Sequence, residues 1–446
     1  MSARQVTHQI EILCPWVALG CEARYIEYQI SNLGLPPAFG AEGTTHMTDA
    51  IDAAARKAVD AIDYERLNEL VQEVCRIPSI LGDEGPLANF LADYMKNAGF
   101  ENAGLQDVID DRPNAIGELS FGKGKRIVMT GHMDTKPVSI GWSKTDPFSG
   151  EIIDNAIYGH GIMDMKAALV CQIVAMEALR DSGVALNGTV GMAAVSDHMG
   201  DQLGSIKYFD EYDADLAVLG ELSGNEIFLG HRGRYYFDIT VQGKSAHTCH
   251  KPLAVNANML AAHAIIELDQ SRLTPAIEGW VTDLFGEETY MAPGRVYGGL
   301  PPGGPSMIPD ECVIRVDCRP QPGVTVDEVQ AEIERCLAAA HKREPRFQAK
   351  LELVDVKSGY LAKPGDEVVE LMRASVKSVR NGAEPPLQAA GWLGDTASFG
   401  HKVPTVIFGP GGEPVYCPDE HLSIDDIVEA TRVYAEFAVR ALGPQA

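Results

Sequence analysis

The stretch Arg126–Val170 constrains this chain more than any other. It opens with IVMTGHMDTKPV, an apolar and partly β-branched run of the kind that forms a buried strand, broken by Gly131 so that His132 and Asp134 emerge at its end. It continues into YGHGIMDMKAALV, a glycine-rich turn feeding an apolar helix expected over Met165–Leu179. On extended backbone His132 and Asp134, two residues apart, face the same way, so Asp134 is placed to orient a neighbouring ligand. Asp164 stands just before the helix, close to N–H groups that lack intrahelical partners and favour a carboxylate. Alone, HMD reads as a polar strand end. His132, Asp134 and Asp164 stand in positions where a metal would be held.

Two later segments repeat the arrangement. GTVGMAAVSDHMGDQLGS reads as a strand over Thr189–Val195 running into a polar loop with Asp197, His198 and Asp201, and ADLAVLGEL delivers Glu221 at a strand end. Helical patterns alternate with these strands, beginning with two between Asp63 and Phe100 around the turn PSILGDEGP. The alternation predicts an α/β fold: an open twisted sheet flanked by helices, with its site at the carboxyl ends of the strands. From about Gly233 the pattern changes. YYFDITVQGKSAHTCHKP, a long helical run through NANMLAAHAIIELDQS, CVIRVDCRPQPG and a helix over Val326–Lys342 predict an inserted α+β module. The expected division is an extension of unread role over 1–46, a catalytic domain over 47–232 and 349–446, and a lid or dimerisation domain over 233–348. The first helix is expected to begin after Met47, with Thr48 or Asp49 as N-cap.

Composition narrows the partners. With 446 residues, 45% of them hydrophobic, the chain can bury a sizeable core, and a formal charge of −26 argues against nucleic acid or an anionic membrane as partner. A small anionic substrate stays compatible, because a pocket can be locally basic. The longest apolar run, AALVCQIVAMEAL, is too short to span a bilayer. Nine cysteines, without a paired CxxC pattern, suit a reducing compartment, and residues 1–46 lack the basic start and apolar core of a signal peptide, so a cytoplasmic location is expected. Cys249 and Cys417 are expected to be buried small hydrophobes.

GHMDTKPV followed by GHGIMDMKAAL resembles the GHxDxVP and GRGxxDMKGG blocks of the M20 family of metal-dependent hydrolases, which includes aminoacylase, carboxypeptidase G2 and succinyl-diaminopimelate desuccinylase. GKSAH and VDCRPQPG resemble signatures of that family's lid. The resemblance implies His132, Asp164 and Glu221 as metal ligands. It also exposes departures: the segment Asp197-His198-Met199-Gly200 puts Met199 where the family has a glutamate ligand, and Tyr416 stands where it has a histidine ligand. A thioether and a neutral phenol are poor ligands for a hard divalent ion, so one ion per subunit, Zn²⁺ or Mn²⁺, is expected. A one-residue slip in the alignment would bring Cys417 into question as a ligand.

His198 occupies the family's general-base position, and an imidazole of pKa about 6.5 suits that task near neutrality. A role for His198 as fourth ligand stays open, as does Asp201 as base. The catalytic set implied is His198, Asp134 and His247, the last matching a family histidine that reaches a partner subunit's site, which implies a homodimer. Substrate-binding candidates are Arg232 and Arg234 of HRGR, Gly411 of FGPGG, and Tyr416. HRGR reads equally as a solvated basic patch, and FGPGG as a plain turn. The altered ligands and base suggest an aminohydrolase that releases ammonia from a small aromatic amino-carboxylate such as 5-nitroanthranilate, whose nitro group would accept the developing charge. A peptidase or N-acyl-amino-acid amidohydrolase is the alternative. A non-catalytic binding protein is a further one, opposed by clustered carboxylates whose mutual repulsion needs a cation.

Overall fold

The computed structural model describes residues 41–299 and 306–445. The extension expected over 1–46 therefore falls almost wholly outside the described residues. The first described helix runs Ala41–Asp60, so Thr48 and Asp49 lie within it and do not cap it.

The centre of the molecule is a mixed sheet whose middle is parallel. Thr189–Val195, Arg126–His132, Leu216–Leu219 and Thr405–Ile407 lie side by side in that order. On one flank Arg112–Ser120 and Glu101–Ile109 join antiparallel, and on the other lie Ile227–His231, Tyr360–Leu361 and Leu387–Ala390. Ile127, Val128 and Met129 are all fully buried, because helices cover both faces of the sheet. That is why the strand reads as an unbroken apolar run. In register His132 stands opposite Val195, and Thr130 opposite Leu219. The carboxyl ends of the parallel strands are thus level.

The helix after the glycine-rich turn is regular only over Ala167–Asp181, since Asp164 and Met165 have non-helical backbone angles. Its Leu169, Val170, Ile173, Val174, Met176 and Leu179 are all buried, each contributing about 1.5–3 kcal/mol relative to exposure. It packs against Ile424–Leu442, whose N-cap Ser423 accepts the N–H of Asp425.

After His231 the chain leaves this sheet and builds a second one, ordered Tyr290–Gly298, Glu311–Arg319, Arg234–Gln242, Gln348–Lys357, all antiparallel. Buried and half-buried residues alternate along Arg234–Gln242 and Glu311–Arg319, the pattern of a sheet with one covered face. The helices Ala257–Asp269 and Val326–Arg343 cover it, around a core that includes Phe237, Ile239, Ile314, Leu260 and Ile333. The second helix starts with a capping box between Thr325 and Glu328. Because Gln348–Lys357 pairs with Arg234–Gln242, the inserted module extends to Lys357, past the limit of 348 expected from sequence. The two crossings between sheets touch: a Cβ on Gly233 would lie 2.9 Å from the backbone N of Gly359, and one on Gly359 would lie 3.0 Å from that of Gly233. No helix among the described residues is long and apolar enough to cross a membrane.

Candidate metal centre

Level strand ends bring the site together. His132 closes its strand, His198 follows Val195, and Glu221 follows Leu219. The ligand atoms of His132, His198 and Glu221 all lie within 4.8 Å of one another. Asp164 joins them, with Oδ1 3.0 Å from His132 Nε2. Glu221 Oε1 is 3.6 Å from His132 Nε2 and 3.8 Å from His198 Nε2. The two imidazoles stack, with centroids 4.1 Å apart.

Each group is held from behind. The Nδ1–H of His132 donates to the Asp134 carbonyl at 2.8 Å, which leaves Nε2 to face the cluster. The Asp134 carboxylate does not touch that ring. Its oxygens accept the backbone N–H groups of His198 (3.0 Å) and Met199 (2.8 Å), so Asp134 positions the loop that carries His198. The same loop is braced by Arg112, which bridges Glu84 and Asp197 at 2.7 Å each. His198 Nδ1 stands 3.1 Å from Oδ1 of Asp395, a fully buried residue of the loop AAGWLGDTASFG. The contact has ion-pair distance without hydrogen-bond alignment, so both Asp395 oxygens lack a hydrogen-bond partner.

The electrostatics follow from burial and crowding. Burial opposes the charged form of His132, but the Asp164 hydrogen bond and the surrounding carboxylates outweigh it and raise its pKa to about 10. Burial likewise opposes the Asp164 carboxylate, and the contact with His132 overcomes it and holds the group below its ordinary range. Desolvation, then the Asp164 charge, push Glu221 up to about 7. For His198, burial and the charge of His132 oppose protonation, and Asp395 and Glu221 together raise it. Glu221 Oε1 is buried with no hydrogen-bond partner. Such an oxygen is costly unless a cation lies on it. Two imidazoles and two carboxylates around it fit a divalent ion of the Zn²⁺ or Mn²⁺ kind.

The other sequence candidates fall differently. Tyr416 is at the site, its hydroxyl donating to the Asp164 carbonyl at 3.2 Å, and burial with the Asp164 charge keeps the phenol protonated. Arg232 and Arg234 are not available to substrate. The Arg232 guanidinium is buried and donates to the carbonyls of Glu288 (3.0 Å), Arg319 (2.8 Å) and Phe285. Arg234 pairs with Asp355 at 2.8 Å within the second sheet. Gly411 lines a cleft of about 400 Å³ beside Met163 and His421, but its carbonyl accepts the Gly224 N–H and the Gly409 N–H donates to Ser223, so this loop secures the chain after Glu221. His247 is exposed in the inserted module, its ring against Cys249, with Nδ1 2.6 Å from the Cys249 sulfur. Cys249 is exposed and Cys417 half-buried, contrary to the expectation that both are core residues.

Asp395 is the residue that sequence reading missed. Its loop shows no periodicity, and Asp before Thr at a short helix, Thr396–Phe399, looks like a cap. Gln202 Nε2 holds the Gly394 carbonyl at 3.2 Å, and the Thr396 hydroxyl donates to His231 Nε2 at 2.7 Å, which fixes this loop against the cluster.

Residues 128–440 match peptidase family M20/M25/M40. The chain belongs to that family. It is an M20 hydrolase, and its centre is that of a metal-dependent enzyme. It is 28% identical over 380 residues to the succinyl-diaminopimelate desuccinylase of Gluconobacter oxydans (strain 621H), covering 82% of this chain and 95% of that one. With the same enzyme of Methylorubrum extorquens (strain PA1) it shares 26% over 387 residues, covering 82% and 96%. Its fold matches aminopeptidase PepT from Bacillus cereus ATCC 10987 with a TM-score of 0.69 at 20% identity, over 86% of this chain and 100% of that one. Human carnosine dipeptidase 1 gives 0.68 at 16% identity, over 87% and 98%. At these identities the solved structures bear on the fold alone.

Proposed function

We propose that this M20 enzyme hydrolyses a C–N bond of a small anionic molecule at a centre built for one divalent ion. One observation carries the reading: His132, His198, Asp164 and Glu221 converge, while the two positions that would complete a second ion hold Met199 and Tyr416. When bound, such an ion supplies Lewis acidity and lowers the pKa of water. The chain's own residues do the rest. The carboxylates of Asp164 and Glu221 fix the charge of the pocket, Asp134 holds the His198 loop, and Tyr416 keeps a protonated hydroxyl beside Asp164.

The bond we assign first is an amide or peptide bond, supported by family membership and by the desuccinylase relatives. The anionic character of the substrate also rests on those relatives, since Arg232 and Arg234 are engaged elsewhere. A second reading, release of ammonia from an aromatic amino-carboxylate such as 5-nitroanthranilate, draws support from His198, Met199 and Tyr416 standing where the family resemblance calls for a glutamate base and two ligands. We further assign a homodimer formed through the inserted module. Its edge strand Tyr290–Gly298 exposes Val296 and Tyr297, and the adjoining helix exposes Met259 and Ile266, an apolar patch beside an unpaired strand edge among the described residues.

Elemental analysis of purified protein, paired with assays on N-succinyl amino acids, dipeptides and aromatic amines, tests the reading. One ion per chain, lost in Glu221→Ala and kept in Tyr416→Phe, with a new carboxylate product, is the expected result. Ammonia without a carboxylate product selects the second reading. Two ions per chain would refute the single-ion centre.

A further inference from the structure

His132 and His198 are built alike. His132 Nδ1 donates to the Asp134 carbonyl at 2.8 Å, and His198 Nδ1 stands 3.1 Å from Oδ1 of Asp395, at ion-pair distance. Each turns its Nε2 toward the same buried oxygen, Glu221 Oε1, at 3.6 and 3.8 Å. The rings stack within 11° of parallel, with centroids 4.1 Å apart. A metal-ligating imidazole commonly has its far nitrogen held by a carbonyl or carboxylate, which fixes the tautomer and the ring orientation. His132 already fits that description, and a carboxylate, Asp395, stands at ion-pair distance from the corresponding nitrogen of His198.

Asp395 is fully buried, and the salt bridge it makes among the described residues is the one to His198. A buried carboxylate needs a cationic or proton-bearing neighbour. Its loop is held at Gly394 and Thr396.

We infer that Asp395 is a positioning residue that makes His198 the fourth protein ligand of the metal ion, in place of a general base at that position. The inference rests on the cluster being a metal centre. It departs from the general-base role expected of His198 from its position in the sequence.

The test reads metal binding without turnover. Chelator competition with Mn²⁺ and Zn²⁺ is measured on the full chain as wild type, His198→Ala, Asp395→Asn, Asp395→Glu and the double variant His198→Ala/Asp395→Asn. Asp395→Asn is expected to weaken affinity by about 10–100-fold. Asp395→Glu should recover part of the loss, and Asp395→Asn should have no further effect once His198 is gone. Unchanged affinity in Asp395→Asn, or a full effect on the His198→Ala background, overturns the inference. Should the buried substitutions prevent folding, electron spin echo modulation of the Mn²⁺-loaded wild type counts the coordinated imidazoles: two are expected, and one overturns it. A wild type that shows two imidazoles but hydrolyses none of the substrates refutes the functional reading and leaves this one standing. Hydrolysis with one imidazole does the reverse.

Discussion

The Asp134 carbonyl receives the Nδ1–H of His132 at 2.8 Å, so the proton of this ring that can be exchanged for a metal sits on Nε2, beside Asp164. In metal-free protein that proton is held up to about pH 10. The folded form keeps it where the unfolded chain, with an ordinary value of 6.5, has lost it. The contribution to stability is therefore complete below about pH 6.5 and disappears as pH rises toward 10. Glu221 acts in the same sense between 4.5 and about 7. Chelator-treated protein should lose stability as pH is raised from about 6.5 to about 8, below the range in which buried Lys166 titrates, by at most about 1.4 kcal/mol per pH unit for one proton. His132→Gln should flatten the slope. Metal uptake should tighten over the same range, because the ion displaces the proton. A melting temperature that rises with pH in chelated wild type would contradict the assignment.

Asp134 acts on the His198 loop through two backbone N–H groups. Asp134→Ala leaves both without an acceptor and should cost about 1–3 kcal/mol in urea unfolding, with weaker metal binding. Asp134→Asn keeps one acceptor and should lose less. If Asp134→Ala matches wild type in both measurements, the clamp is unimportant.

Arg232 fills a structural role between the two sheets. Arg232→Ala removes the donors to three carbonyls and should destabilise the protein by about 2–4 kcal/mol. The KM of the folded fraction should stay unchanged. A raised KM with unchanged stability would restore Arg232 to the substrate site.

Sedimentation velocity checks the dimer. Wild type should sediment as a dimer at micromolar concentration, and Tyr297→Glu combined with Met259→Glu should shift it to monomer by burying charge in the apolar patch. A monomeric wild type would exclude the assembly.

Much of the centre was legible because strand ends are local. An apolar run followed by His132 or Glu221 announces both the strand and the group it delivers, and these fell where expected. Other parts depend on distant contacts. QAKLELVDVK alternates as a strand should, but nothing in it says that it pairs with Arg234–Gln242. Arg232 beside a glycine looks like a substrate grip until Phe285, Glu288 and Arg319 supply their carbonyls. Asp395 has no pattern of its own, and its meaning comes only from the ring of His198.

The glycine pair Gly233 and Gly359 marks where the chain leaves the first sheet for the second and where it returns. The chain departs and returns through one narrow gate, where either residue with a side chain would press on the other's backbone. The pairing that sets His132 opposite Val195 lies wholly outside the segment between the two glycines. The residues that build the metal centre and those of the second sheet are thus separated in sequence at a point that tolerates no bulk.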